Sequence, residues 1–140
     1  MQLLGLWFAR MGNARQFALE IDREFEASLD EWRLIIRRVA LDALTRIVER
    51  TPVDTGRARG NWFVEIGGGG VEVSAEVDKS GAVTIASGGA EIARYQEVDG
   101  FPVIQIYNNL PYIRRLEDGY SGQAPSGMVS ITVTELSAGL

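Results

Sequence analysis

The stretch ARQFALEIDREFEASLDEWRLIIRRVALDALTRIVER, from Ala14 to Arg50, contains neither glycine nor proline. Within it Phe17, Ile21, Phe25, Leu29, Trp32, Ile36, Val39, Ala43 and Ile47 recur at steps of three or four, which lays one apolar stripe along a helix. Asn13 can cap its start. Thr51-Pro52 marks its end, because a proline ring drives the residue before it out of the helical region. Acidic residues (Glu20, Asp22, Glu24, Glu26, Asp30, Glu31) crowd the first half and arginines (Arg33, Arg37, Arg38, Arg46, Arg50) the second. That polarity suits the helix macrodipole, with most of the benefit confined to the terminal turns.

Length gives this helix a consequence. At 1.5 Å per residue it measures about 55 Å. A compact domain of this chain length has a radius of gyration of about 14 Å, hence a diameter of roughly 37 Å. The helix outreaches its own globule, so either it kinks or another chain covers part of its stripe. Because Phe17, Ile21 and Phe25 keep the overhang apolar, the expectation is a covered end, with self-association the simplest way to supply the cover.

The 140 residues suit one domain over 1–140, with residues 1–12 as a flexible arm. Leu3–Ala9 is too short for a signal sequence and has no basic start, and no apolar run reaches the roughly 20 residues that span a bilayer. The protein is therefore expected in a cytoplasm when made and at no membrane. Trp7 and Phe8 could plug a neighbouring subunit, or belong to a disordered terminus. There is no cysteine and no histidine, which removes disulfides, thiolate or imidazole zinc sites, and histidine-based triads. A net charge of −5 suits a dedicated nucleic-acid binder poorly, since that affinity comes largely from cations neutralising phosphates.

After Pro52 the texture changes. Val53-Asp54-Thr55-Gly56 is turn chemistry. Asn61–Ile66 reads as a strand, Gly67–Gly70 as a flexible loop, and Val71–Val77 as a half-buried strand or an extended loop arm. In Ala82–Tyr95, Val83-Thr84-Ile85 prefers strand, while Ala90, Ile92, Ala93 and Arg94 suggest a helix covering at least Ala90 to Tyr95. Gly88-Gly89 would cost a helix about 1 kcal/mol each. Val103–Tyr107 is a strand. Asn108–Pro111 can cap and start a short helix through Asp118, with Gly119 as its stop. From Ser126 to Leu136 both periods are present, and local pattern leaves helix and strand open.

Two segments together resemble a known family. The first is Thr51-Pro52-Val53-Asp54-Thr55-Gly56-Arg57 followed by Asn61-Trp62. The second is Asn108-Asn109-Leu110-Pro111-Tyr112, then Leu116-Glu117, Gly119, Ser121, Gln123-Ala124-Pro125 and Gly127-Met128. Their order and spacing behind a long helix are similar to the neck or tail-completion proteins of siphophages, related to minor tail protein Z of lambdoid phages. The Leu3–Ala9 arm and the Gly67–Gly70 run depart from that pattern.

The resemblance implies an α+β fold, a long N-terminal helix packed on a small antiparallel sheet with short C-terminal helices, the last segment among them. It also implies a virion protein of the neck or tail, assembled in the host cytoplasm as a homo-oligomeric ring, with a hexamer as the candidate number. Its partners would be head-side connector proteins and tail-terminator or tail-tube proteins. DNA would pass through the lumen without sequence-specific binding. No enzyme activity, cofactor or metal is expected.

The candidate interface residues are Phe17, Ile21, Phe25, Arg57, Arg59, Glu117 and Tyr120. Arg57 and Arg59 could face a neighbouring subunit or DNA phosphates, or be solvated on a plain connector. Glu117 is expected to pair with an arginine, and Tyr120 to anchor an exposed loop or a cover on the core. Two rivals remain. One is a DNA-binding module using Arg33, Arg37, Arg38 and Arg46, several of which share a helix side. The other is a hydrolase using Asp54 or Glu117, weak because Glu117 and Asp118 point about 100° apart on a helix and no activated nucleophile is present.

Overall fold

The computed structural model describes the backbone of residues 2–139 and the side chains of residues 13–139. Trp7 and Phe8, the candidate plug, lie outside the described side chains. The chain is α+β. Helix α1 is Gln2–Arg50, α2 is Arg57–Gly60, β1 is Phe63–Ile66 and α3 is Ala82–Ala93, continued by a 3-10 turn over Arg94–Glu97. Then come β2, Ile104–Tyr107, α4, Ile113–Glu117, and α5, Val129–Ala138. Backbone packing divides the chain into two units between Leu34 and Ile35.

α1 runs without interruption through the sequence that was read as helix, and it begins earlier. Asn13 is therefore inside the helix and not its N-cap, and residues 2–12, expected as an arm, are helical in their backbone. Gly5 and Gly12 each cost a helix only about 1 kcal/mol, and no proline stands there to break it.

In the first unit the described residues hold this one element, and every residue from Asn13 to Ser28 is exposed. The core lies in the second unit. Leu44, Ile47 and Val48 come from the end of α1 at helical spacing, and they pack with Trp62, Ile92, Ala124 and Met128. Half-buried Val64 and Ile106 from the sheet and Ile113 and Leu116 from α4 close around them. β1 and β2 form one antiparallel pair in the register Phe63↔Tyr107, Val64↔Ile106, Glu65↔Gln105 and Ile66↔Ile104. A buried relay ties α1 to β1: the Trp62 indole N–H donates to Thr51 Oγ at 2.8 Å, and that hydroxyl donates to the Ile47 carbonyl at 2.7 Å.

Val71–Val77 takes the extended-arm alternative, with no helix or strand assigned. Backbone groups of this arm and of Gly70 before it meet side-chain amides in place of a strand. Asn61 both donates to Ser74 O (2.9 Å) and accepts from Ser74 N (2.8 Å), and Gln105 accepts from Gly70 N at 3.0 Å.

Val83–Ile85, which locally prefers strand, is the start of α3. Two features override the local preference. The Asp78 carboxylate caps the helix, accepting from Gly81 N, Thr84 N and the Thr84 hydroxyl at 2.8–3.0 Å. Gly88, which counted against a helix, lets α3 sit close to its neighbours: a Cβ there would lie 2.4 Å from Leu44 Cδ2 and 3.0 Å from Val64 Cγ2. The C-terminal segment is the helix α5, as the resemblance implied.

Candidate interaction surfaces

The two sequence motifs, far apart along the chain, meet in space. Val53 N donates to Gln123 Oε1 at 2.9 Å and Gln123 Nε2 donates back to Val53 O at 3.2 Å. Asn108 Nδ2 donates to Ala58 O at 2.9 Å. Gly56 permits the turn because its φ is +90°, and a Cβ there would stand 2.7 Å from Lys79 N. Between the motifs opens a cleft of about 520 Å³ walled by Pro52, Val53, Arg57, Tyr112, Leu116 and Tyr120. The Arg115 guanidinium lies 4.4 Å from the centre of the Tyr120 ring, within reach of a cation–π attraction. The ring itself is 75% exposed.

The seven candidate interface residues fall into two groups. Phe17, Ile21 and Phe25 are 63%, 48% and 62% exposed on α1, and Arg57 and Tyr120 are exposed at the cleft. Arg59 and Glu117 instead complete the fold. Arg59 donates to the carbonyls of Glu49 and Thr51 at 2.9 Å each and of Lys79 at 2.7 Å, satisfying acceptors that the end of α1 leaves open. Among the described residues Glu117 takes no arginine. Its carboxylate accepts from the backbone N–H groups of Met128, Val129 and Ser130 at 2.8–2.9 Å, the unsatisfied donors at the start of α5.

Most arginines of the DNA-binding rival are engaged within the chain. Arg33 pairs with Asp30 at 3.1 Å, and Arg37 donates to Gln96 Oε1 at 3.2 Å. Arg46 bonds Asp42 at 2.8 Å and Glu135 at 2.7 Å. Arg50, adjacent on the same helix, bonds Glu135 at 2.6 Å. Arg50 first, then Arg46, hold the Glu135 carboxyl below its ordinary range. Arg38 is exposed. For the hydrolase rival, Asp54 is exposed and Glu117 is committed to α5. Among the described residues no cluster of three or more carboxylates could hold a metal ion.

The reading of the sequence passed over three features of these surfaces. Trp32, placed in the stripe but not among the candidate interface residues, is 57% exposed. Gln123 is the clamp between the motifs, and nothing local marks a partner that lies so far back in the chain. The carboxylates that edge the stripe follow from helical phase alone. At about 100° per residue, Glu20, Glu24 and Glu31 line one side of Phe17, Ile21, Phe25 and Trp32. Asp22 and Glu26 line the other, with Arg15 and Arg33.

Comparison with known proteins finds no matching family model, no matching curated protein and no matching solved structure.

Proposed function

We propose that this chain is a non-catalytic structural subunit of a long-tailed phage virion, which completes the tail and joins it to the head by assembling as a ring. The observation that carries the reading is the apolar stripe of Phe17, Ile21, Phe25 and Trp32, between 48% and 63% exposed on an uninterrupted helix. Contiguous apolar surface left open to water marks a place that another chain covers. The phage assignment rests on the resemblance of the two motifs, and their direct bonding supports treating them as one structural unit.

In this reading the mechanism is shape and contact. Copies of the chain cover one another's stripes, head-side connector and tail-terminator or tail-tube proteins meet the ring's two faces, and DNA passes through the lumen without base-specific contacts. The site of action is the virion neck, reached after assembly in the host cytoplasm.

Native mass spectrometry of the full chain, alone and mixed with the connector proteins of the same virion, tests this. The expected result is a closed oligomer of discrete mass, on its own or on that template. A chain that stays monomeric in every mixture and in assembled particles would overturn the ring.

A further inference from the structure

The stripe is not edged neutrally. From Asn13 to Leu34 the chain carries Glu20, Asp22, Glu24, Glu26, Asp30 and Glu31 against Arg15, Arg23 and Arg33. Glu20, Glu24 and Glu31 form a purely acidic rail along one side of the apolar residues. Two copies packed stripe on stripe in antiparallel orientation would bring acidic rails together, and like charges flanking a helix seam oppose pairing. Such a contact would also be two-fold and self-complementary. It closes as a dimer, whereas a ring requires two different surfaces that meet head to tail.

The second copy must therefore offer a different surface, apolar within and cationic at its edge. The groove beside α3 has Glu76, Asp78 and Glu91 in its walls, and would repel the rail. The hollow against α5 places Arg46 between Asp42 and Glu135, already paired. The cleft between the motifs differs. Its walls are Tyr112, Leu116, Tyr120 and the Pro52-Val53 turn, with Arg57 exposed among them. Arg115 stacks on Tyr120 at its edge. The carboxylates there are Asp54 in the wall and Asp118 next to Tyr120, and among the described residues neither forms an ion pair with Arg57 or Arg115.

We infer that the Phe17–Ile21–Phe25 face of one copy docks in the Tyr112–Leu116–Tyr120 cleft of the next, its glutamate rail set against Arg57 and Arg115. The inference rests on the ring proposed above and names the contact that repeats around it. Aromatic and arginine side chains are the groups that most often carry interface energy. Here each surface supplies what the other lacks, and the two together propagate from copy to copy.

The absence of cysteine from the chain makes a clean test possible. Full-chain Ile21→Cys and Tyr120→Cys, both at exposed positions, are mixed at high concentration and oxidised. The expected product is a mixed disulfide-linked dimer that neither variant forms alone. Its yield should fall in Arg57→Glu/Arg115→Glu and recover when the mating copy carries Glu24→Lys/Glu31→Lys. Self-linked Ile21→Cys as the main product overturns the inference in favour of stripe-on-stripe packing. A mixed yield no higher than that of Ile21→Cys with Val83→Cys, exposed on α3, overturns it as well. Closed oligomers by native mass with no mixed product would refute this contact alone and leave the ring standing, whereas the absence of any oligomer refutes both.

Discussion

At the scale of single residues, the polar side chains that matter most here bind backbone and not one another. Glu117 satisfies three N–H groups at the start of α5, and Glu117→Ala leaves them partly desolvated with no acceptor. That change should cost about 1–2 kcal/mol in urea unfolding of the full chain, with Glu117→Gln losing less because its amide keeps one acceptor oxygen. Equal stability of Glu117→Ala and the parent would mean that α5 does not depend on this cap. The sequence pointed to Glu117 but supplied an arginine as its partner. The true partners lie past an irregular loop, where no periodic pattern can announce them.

Asp78 gives the residue scale its pH dependence. Burial opposes its ionisation, but the backbone and hydroxyl of Thr84, with help from Gly81 and Ser80, together hold its carboxyl below the ordinary range. A depressed carboxyl contributes stability that is present above the unfolded-state carboxyl pKa and is lost as pH falls through the folded-state value. Unfolding midpoints followed from neutral pH into the acid range should therefore drop below about pH 4. The drop should be shallower in Asp78→Asn. Parallel curves for the two proteins would remove Asp78 from the account.

At the scale of elements, α3 shows where local pattern fails and why. Two adjacent glycines and a β-branched start argue against a helix over its first half, whereas Ala90 onward was legible as helix. Tertiary packing decides otherwise, because Leu44 is fully buried and leaves no room beside Gly88 for a Cβ. Gly88→Ala, which in an exposed helix would gain up to about 1 kcal/mol, should here destabilise by about 1–3 kcal/mol through overpacking. A rise in thermal midpoint would show that α3 can move away from α1 at little cost. By contrast α1 was legible almost throughout, since its stripe repeats over many turns. Only its start was misplaced, for want of any proline or strong cap to fix it.

The same helix carries two different kinds of apolar residue. Leu44→Ala empties a fully buried position and should cost about 2–5 kcal/mol. Phe25→Ala, at a side chain 62% exposed, should change the unfolding free energy of the isolated chain by no more than about 0.5 kcal/mol while reducing its association. Denaturant melts beside sedimentation at matched concentrations would separate the two effects. A large loss of monomer stability in Phe25→Ala would mean that its own chain already covers the stripe. The sequence marked Phe25 and Ile47 as stripe members with equal weight and left Leu44 out of the stripe. Burial divides them, because core residues Leu44, Ile47 and Val48 belong to the unit that holds the sheet and the later helices.

At the scale of the whole molecule, charge sets the relation to DNA. The chain carries a net −5, and the arginines that gave α1 a basic second half are largely spent inside the protein. Arg46 and Arg50 converge on Glu135, and Arg37 holds Gln96. A surface that neutralises phosphates would need several free cations on one face, each releasing counterions and steepening the salt dependence by about one unit of log–log slope. Duplex retardation by the full chain, titrated from low to physiological salt, should show binding no tighter than the non-specific micromolar range, with a shallow slope. That outcome suits the proposed ring, through which DNA would slide without sticking. Tight binding with a slope of several units would overturn this account and favour the DNA-binding module, with exposed Arg38 the first α1 arginine to substitute.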